Sequence, residues 1–418
     1  MRIVVIGSGV SGLTAAWLLA RRHEVHVVER EPRTGGHTHT VDVPRPDGST
    51  VGVDTGFITY NEATYPLFTR LLDELGVATS PSDMSWSLRC ERCDLEYAGN
   101  AAGVFADPRR AVAPAHLRML AEIPRFHRLA RRLLADPPSG PVTLGGFLRE
   151  HRFGHGFADH YLRPMAAAIW SSGTGAVDAF PLVTLLRFFA NHGLLGITTH
   201  HPWRAVRGGS SSYLAPLTAP YADRIHRGVG VVAVHRHPDA VEVRLTDGTT
   251  ATFDAVVVAT HADEALALLA DPSPDEKELL GAWDYSTNEA VLHTDTTMLP
   301  RRGRAWASWN YHLDDCRRPT ERAGLSYHMN RLQSLREERE YVVTLNPSRQ
   351  PDQAKVLRRM TYTHPTYTPE SVATHPGLGG LNGARTFFAG AYQRYGFHED
   401  GVWSAVRAAA DLGVRWPR

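Results

Sequence analysis

Short apolar runs and longer amphipathic stretches alternate along this chain. Residues 3–6 are uninterrupted Ile and Val, too short for a helix and typical of a parallel strand buried on both faces. Residues 13–20 follow with a helical pattern, and 25–28 make a second apolar strand. Residues 63–75 have helical spacing and stop at Gly76, a C-cap residue. Residues 84–97 alternate as a hairpin, and arginine-studded helical segments follow, among them 117–134. Residues 224–234 and 241–245 alternate as strands, Asp247-Gly248 makes a turn, and 253–260 form a further strand. Residues 289–293, 305–311 and 341–345 read as strands of a second sheet, and 402–410 as a closing helix.

This order predicts an α/β protein with a discontinuous Rossmann-like domain built from residues 1–78, 205–275 and 381–418. Residues 79–204 and 276–380 are two insertions that build an α+β substrate domain. Ligand pockets favour such domain interfaces.

The first strand runs into Gly7, Gly9 and Gly12, a G-x-G-x-x-G turn that includes Val10 and Ser11. The first glycine makes the tight turn, the second lets backbone approach a pyrophosphate, and the third lets helix pack on strand. Glu29 ends the second strand about 20 residues later, where a carboxylate can hold the ribose hydroxyls of a dinucleotide. Arg30, Arg33, Gly35, Gly36, His37 and Thr38 come next, with a second glycine pair that nicotinamide domains usually lack.

Four pieces, in order, resemble the flavin amine oxidase and phytoene desaturase superfamily. Arg33-Thr-Gly-Gly-His37 is similar to its R-x-G-G-[RH] element, and Val53-Asp-Thr-Gly-Phe57 to its D-x-G segment, which places Thr55, Gly56, Phe57 and Ile58 beside a flavin. Phe253 to Thr260 resembles its D-x-V-V-x-A-T strand. Phe387-Phe-Ala-Gly390 with Gly396-Phe-His-Glu-Asp-Gly401 resembles its C-terminal flavin motif, bringing in Gly390, Ala391, Phe397, His398, Asp400, Gly401 and Val402. The resemblance implies an amine-oxidase-like fold with non-covalent FAD, and matches Val231 to a valine whose backbone contacts adenine. Residues 53–61, Asn191 to Leu195, 203–210 and 396–401 resemble more closely a bacterial group of NAD/FAD-binding oxidoreductases. That group is often associated with fatty-acid methylation or cyclopropanation enzymes, and at least one relative desaturates methylated fatty acyl chains. The closer resemblance implies a lipid-like substrate.

Composition adds mostly exclusions. The chain has 418 residues, 43% hydrophobic and 21% charged, and a net charge of +1, which gives no electrostatic case for nucleic acid. The N-terminal apolar run enters the glycine turn, so it is a strand and not a signal peptide, and no uncharged run is long enough to span a bilayer. A cytoplasmic enzyme is expected. Peripheral contact with a membrane or a lipid-modifying enzyme is a further expectation, resting on the pattern of 117–134.

Three cysteines argue against a disulfide framework. Cys90-Glu-Arg-Cys93 could be redox-active or half a zinc site, but no second C-x-x-C exists, so it reads as a hairpin turn and no metal is expected. His37 and His39 lie inside the flavin segment, and His200-His201 carries no further ligand signal, so neither pair is read as metal-binding.

Within the resemblance, three departures matter. Ala391 stands where an acidic residue usually contacts the ribityl chain, and Glu31 where an arginine often neutralises phosphate. Amine oxidases commonly hold a water near the flavin N5 with a lysine, and the comparable stretch 288–293 has none; Lys277 and Lys355, the chain's only lysines, lie in polar stretches. Phe397 offers an apolar wall where a tyrosine is common. Tyr60, Phe397, His398 and Glu399 are the catalytic candidates. Tyr392, Tyr395, Trp170, Asn191, His192 and Trp203 are further substrate-side candidates. The expected activity is dehydrogenation of an apolar, fatty-acyl-like small molecule by hydride transfer to flavin N5. A flavin-dependent double-bond isomerase and an amine or amino-acid oxidase stay open beside it.

Overall fold

The computed structural model describes residues 1–140, 142–196 and 201–417. His200 therefore lies outside the described residues. The strand Arg2–Ile6 is buried at the centre of a five-stranded sheet. The sheet order is Ile225–Arg227, Glu24–Glu29, Arg2–Ile6, Ala255–Val258 and Thr386–Phe388, with every neighbouring pair parallel. Ile3, Val4 and Val5 have no exposure, as their unbroken apolar run requires. The helix Val10–Leu19 is buried at all of its positions, between this sheet and the terminal helix His398–Asp411. Its sequence is apolar all round because no face meets water.

Two other sheets complete the frame around the site. Val231–Arg236, Val241–Leu245 and Thr250–Phe253 form an antiparallel meander. Seven strands make a second large sheet in the order Val356–Pro365, Tyr285–His293, Val342–Leu345, Leu325–His328, Trp309–Leu313, Trp86–Cys90 and Leu95–Ala98. Within it Trp309–Leu313 and Trp86–Cys90 run parallel, while the other neighbours are antiparallel. Helical segments between residues 114 and 191 pack beside this sheet around Phe126, Phe147, Phe157 and Phe189.

The structure corrects several boundaries, among them the closing helix, which begins at His398 and not at 402, and the strand expected over 289–293, which begins at Tyr285. The expected strand 224–234 is broken at Gly228 (φ +71°), so Ile225–Arg227 joins the parallel sheet and Val231–Arg236 the meander. The expected strand 253–260 divides at Asp254, whose carboxylate accepts the Arg2 N–H at 2.6 Å. The helix expected over 63–75 is Pro66–Glu74, because proline lacks an N–H and has a fixed φ suited to the first turn. The expected strand 305–311 begins only at Trp309. Gly76 does close its helix, at φ +67°. Among the described residues, no helix is long and apolar enough to cross a membrane. The helix covering 117–134 spans Pro114–Ala135.

Candidate functional site

A cavity of about 970 Å³ runs from the glycine turn, past the start of the terminal helix, to the face of the seven-stranded sheet. Its two ends differ in chemistry. At the turn end, Gly7 has φ +98°, and a Cβ there would lie 2.8 Å from the Ala259 carbonyl oxygen. A Cβ on Gly12 would lie 2.0 Å from the Gly7 oxygen, so Gly12 is the contact that brings helix onto turn. A Cβ on Gly9 would meet nothing within 4 Å, because Gly9 faces the cavity. Gly36 (φ +56°) backs onto Gly9, and Gly35 has φ +110°. Val10 and Ser11 complete this wall. The helix Val10–Leu19 begins there with no side-chain cap and no acidic residue in its first turn. Its free N–H groups and positive dipole end suit an anion.

Glu29 lies at the rim of this end. Its Oε2 accepts the Ser8 N–H at 2.9 Å and the Ser8 hydroxyl at 2.5 Å, and Oε1 accepts the Glu31 N–H at 2.8 Å. An ionised carboxylate has about four acceptor positions, so one stays free for a ribose hydroxyl and the Ser8 hydroxyl can yield another. Arg30 pairs with Glu264 at 3.0 Å beside it, and Val231 and Thr260 also line the wall. Arg33 Nη1 and His37 Nε2 are buried without a hydrogen-bond partner among the described residues. Both side chains line the cavity. The open Gly9, the uncapped helix and the unpartnered Arg33 nitrogen fit the pyrophosphate and ribose of a dinucleotide.

In the middle of the cavity, Gly56, Phe57 and Ile58 face Gly390, Ala391, Phe397 and His398. His398 stacks on Phe57 with ring centroids 3.5 Å apart. Its Nε2 meets Thr38 Oγ1 at 3.0 Å and the Tyr213 hydroxyl at 3.1 Å. Burial pushes its pKa down to about 3, so the ring is neutral. Thr38 and Thr55 stand behind the wall; the Thr55 hydroxyl donates to the His39 carbonyl at 3.0 Å. Asp400 is not on the cavity surface either. Its Oδ2 accepts the Phe397 and Tyr395 N–H groups at 2.9 and 3.2 Å, and caps the terminal helix. Gly401 lets this helix cross the first one, since a Cβ would lie 2.7 Å from Val10 Cγ1. Val402 is core.

Two of the four catalytic candidates lie elsewhere. Tyr60 is buried against Phe68 and Tyr65, away from the cavity. The Glu399 carboxylate accepts the Leu67 N–H at 3.1 Å and the Phe68 N–H at 2.9 Å, so it holds the start of helix Pro66–Glu74. Consecutive residues of an α-helix point about 100° apart, which puts His398 on the cavity and Glu399 behind it. Asn191 also lies off the cavity, while Tyr392, Tyr395, Trp170, His192 and Trp203 line it.

The far end is aromatic and aliphatic. Phe188 stacks on both His192 (3.8 Å) and Phe397 (4.9 Å), whose own rings are 6.0 Å apart. His192 donates from Nδ1 to the Phe188 carbonyl at 3.0 Å, and burial pushes its pKa to about 4. Met84, Trp86, Met165, Ile169, Trp309 and Tyr327 add further walls; the sequence pattern singled out none of them for the site and placed Tyr327 in no element. Among the described residues, every Arg and Glu on the cavity surface belongs to the turn end (Glu29, Arg30, Glu31, Arg33, Glu264), and no lysine lines it. The strand Tyr285–His293 instead carries Asn288, whose Nδ2 donates to His364 Nδ1 at 3.0 Å. His364 lines the cavity and is held neutral by burial, with a pKa of about 4.

The family model for flavin containing amine oxidoreductase matches residues 10–322. The fold is similar to cyclohexylamine oxidase from Brevibacterium oxydans IH-35A, at TM-score 0.71 and 15% identity over 98% of both chains. It is also similar to a CLA-producing fatty acid isomerase from P. acnes, at TM-score 0.67 and 17% identity over 97% of both chains. Coproporphyrinogen III oxidase of Propionibacterium freudenreichii subsp. freudenreichii is 26% identical over 203 residues, which cover 44% of this chain. The match spans 34% of that relative's own length. With a glycine turn, a carboxylate at its rim and an uncapped helix start on one continuous cavity, the chain belongs to the flavin-containing amine oxidoreductase family and is an FAD-dependent oxidoreductase.

Proposed function

We propose that this enzyme dehydrogenates a carbon–carbon bond in an apolar, fatty-acyl-like substrate. The observation that carries the reading is the one-sided distribution of charge in the cavity: among the described residues, its Arg and Glu side chains gather at the turn end. The opposite end offers Trp170, Phe188, Phe397 and Trp309 to the substrate. An uncompensated charge is costly to bury there, whereas methylenes gain about 25 cal/mol per Å².

FAD, when bound, accepts the hydride that leaves the substrate. Arg33, the N-terminus of Val10–Leu19 and Glu29 would hold its phosphates and ribose. Phe397, Phe188 and Trp170 orient the chain and exclude water. The second hydrogen leaves as a proton. His192, neutral and with its Nδ1 donating to the Phe188 carbonyl, offers Nε2 as a basic nitrogen on the wall that can take it. The fatty acid isomerase of similar fold supports a lipid substrate and keeps isomerisation without net redox as the second reading.

Anaerobic mixing tests this. Unsaturated or methyl-branched acyl substrates should bleach the flavin, and simple amines should not. Bleaching by amines alone overturns the reading. A double-bond shift in the recovered acyl chain, without bleaching, selects the isomerase.

A further inference from the structure

Cys316 is far in sequence from Cys90 and Cys93, yet the three meet. Cys90 closes the strand Trp86–Cys90, Cys93 lies in the turn before Leu95–Ala98, and Cys316 follows the strand Trp309–Leu313. His160 reaches them from the helical segment Ala158–Leu162. Ligand-type atoms of Cys90, Cys93, His160 and Cys316 all lie within 4.8 Å of one another, and Cys93 Sγ and Cys316 Sγ are 3.4 Å apart. A tetrahedron with zinc–sulfur bonds of about 2.3 Å has sulfur–sulfur edges of about 3.8 Å, so small side-chain adjustments close it. The expectation of no metal rested on the lack of a second C-x-x-C; the fold supplies the two missing ligands from separate segments.

We propose that Cys90, Cys93, Cys316 and His160 form a structural zinc site. Three soft thiolates and one imidazole in a compact cluster select zinc over hard, oxygen-seeking cations. On binding, the three thiols release their protons to solvent. The surroundings are built for it. The turn is fixed by Glu91 N–H to the Leu313 carbonyl at 2.8 Å and Arg92 N–H to the Asp314 carbonyl at 3.1 Å. Arg110 donates to the Cys93 and Asp94 carbonyls at 3.0 and 2.6 Å, and places a positive charge beside a cluster that would carry a net −1. The Tyr97 hydroxyl donates to the His160 carbonyl at 2.7 Å and fixes that segment. His160 Nε2 is buried without a hydrogen-bond partner among the described residues. Four protein ligands leave no open position, so the site is a clip and not a reaction centre. It ties the ends of two strands that carry Trp86 and Trp309 to the helical segment leading to Met165 and Trp170, all cavity residues.

The holoenzyme, purified without chelators, should carry one zinc per chain by elemental analysis. Cys316→Ser and His160→Gln should each lose it. Cobalt(II) added to the metal-stripped, reduced protein should give tetrahedral thiolate bands to the red of the flavin absorption. This readout does not depend on any variant folding. No zinc in the purified protein and no uptake of zinc or cobalt by the reduced protein would overturn the site. So would zinc retained in both variants, or a Cys93–Cys316 disulfide in protein kept reduced throughout.

Discussion

Phe57 and His398 lie face to face, 3.5 Å between ring centroids and 11° from parallel. They join the D-x-G segment to the start of the terminal helix at the middle of the cavity. The stack explains why burial drives the His398 pKa to about 3: its ring is enclosed by Phe57, Phe68 and Tyr213.

Acid should therefore destabilise the protein from about pH 6.5 downward. His398, His364 and His192 have folded pKa values of about 3, 4 and 4, and His37 is held well below its usual range by burial. Each stays neutral when folded and takes a proton when unfolded. Their contribution is present above the unfolded pKa and is lost as pH falls toward the folded values. The slope is up to about 1.4 kcal/mol per pH unit for each histidine. Asp54 and Asp400, raised to about 7 by burial, act with the opposite sign over about pH 4 to 7. The four histidines outnumber them, so urea midpoints should fall between about pH 6.5 and pH 5. A flat or rising midpoint contradicts this.

Gly9→Ala and Gly12→Ala should fail differently. A methyl on Gly9 enters the cavity, so the chain should fold and bind FAD more weakly. A methyl on Gly12 overlaps the Gly7 carbonyl, so soluble expression should collapse. Circular dichroism and flavin titration separate the two outcomes.

Glu29→Ala should weaken FAD binding by about 1.5–3 kcal/mol, roughly ten- to a hundredfold, through lost charge-assisted bonds. The purified enzyme should release its flavin on denaturation, since none of the three cysteines is among the described residues that line the cavity. Unchanged affinity by titration would remove Glu29 from the ribose site.

Glu399→Ala should lower stability by about 1–2 kcal/mol by freeing the Leu67 and Phe68 N–H groups. Flavin spectrum and turnover should stay near those of the parent. A large loss of turnover at unchanged melting temperature would restore Glu399 to the chemistry.

What could be read in advance was local. The Gly7–Gly12 turn, the strands beside it and the motif around Gly390 and Gly396 are short patterns whose meaning does not depend on distant partners. The rest required long-range pairing. Trp86 and Trp309 line one cavity because their strands are neighbours, a fact no alternation pattern carries. Cys90 and Cys93 looked like half a site because Cys316 reaches them only through that same pairing and His160 only through the packing of a separate helical segment. Glu399 and His398 were indistinguishable in the motif; only the helix's rotation puts one on the cavity and the other on a neighbouring helix.

The side-by-side, same-direction pairing of Trp86–Cys90 with Trp309–Leu313 has a cost in time. A tight turn cannot make a parallel pair, and here the register joins Trp86 to Trp309 across 223 positions. A ribosome adding about 5–20 residues per second needs roughly 10–45 s to deliver the second strand after the first. Through that interval the hairpin Trp86–Ala98 keeps one edge open and its aromatic side chains uncovered, the state in which nascent chains aggregate. Yield should therefore rise when chaperones shield the first half of the chain until the second strand arrives.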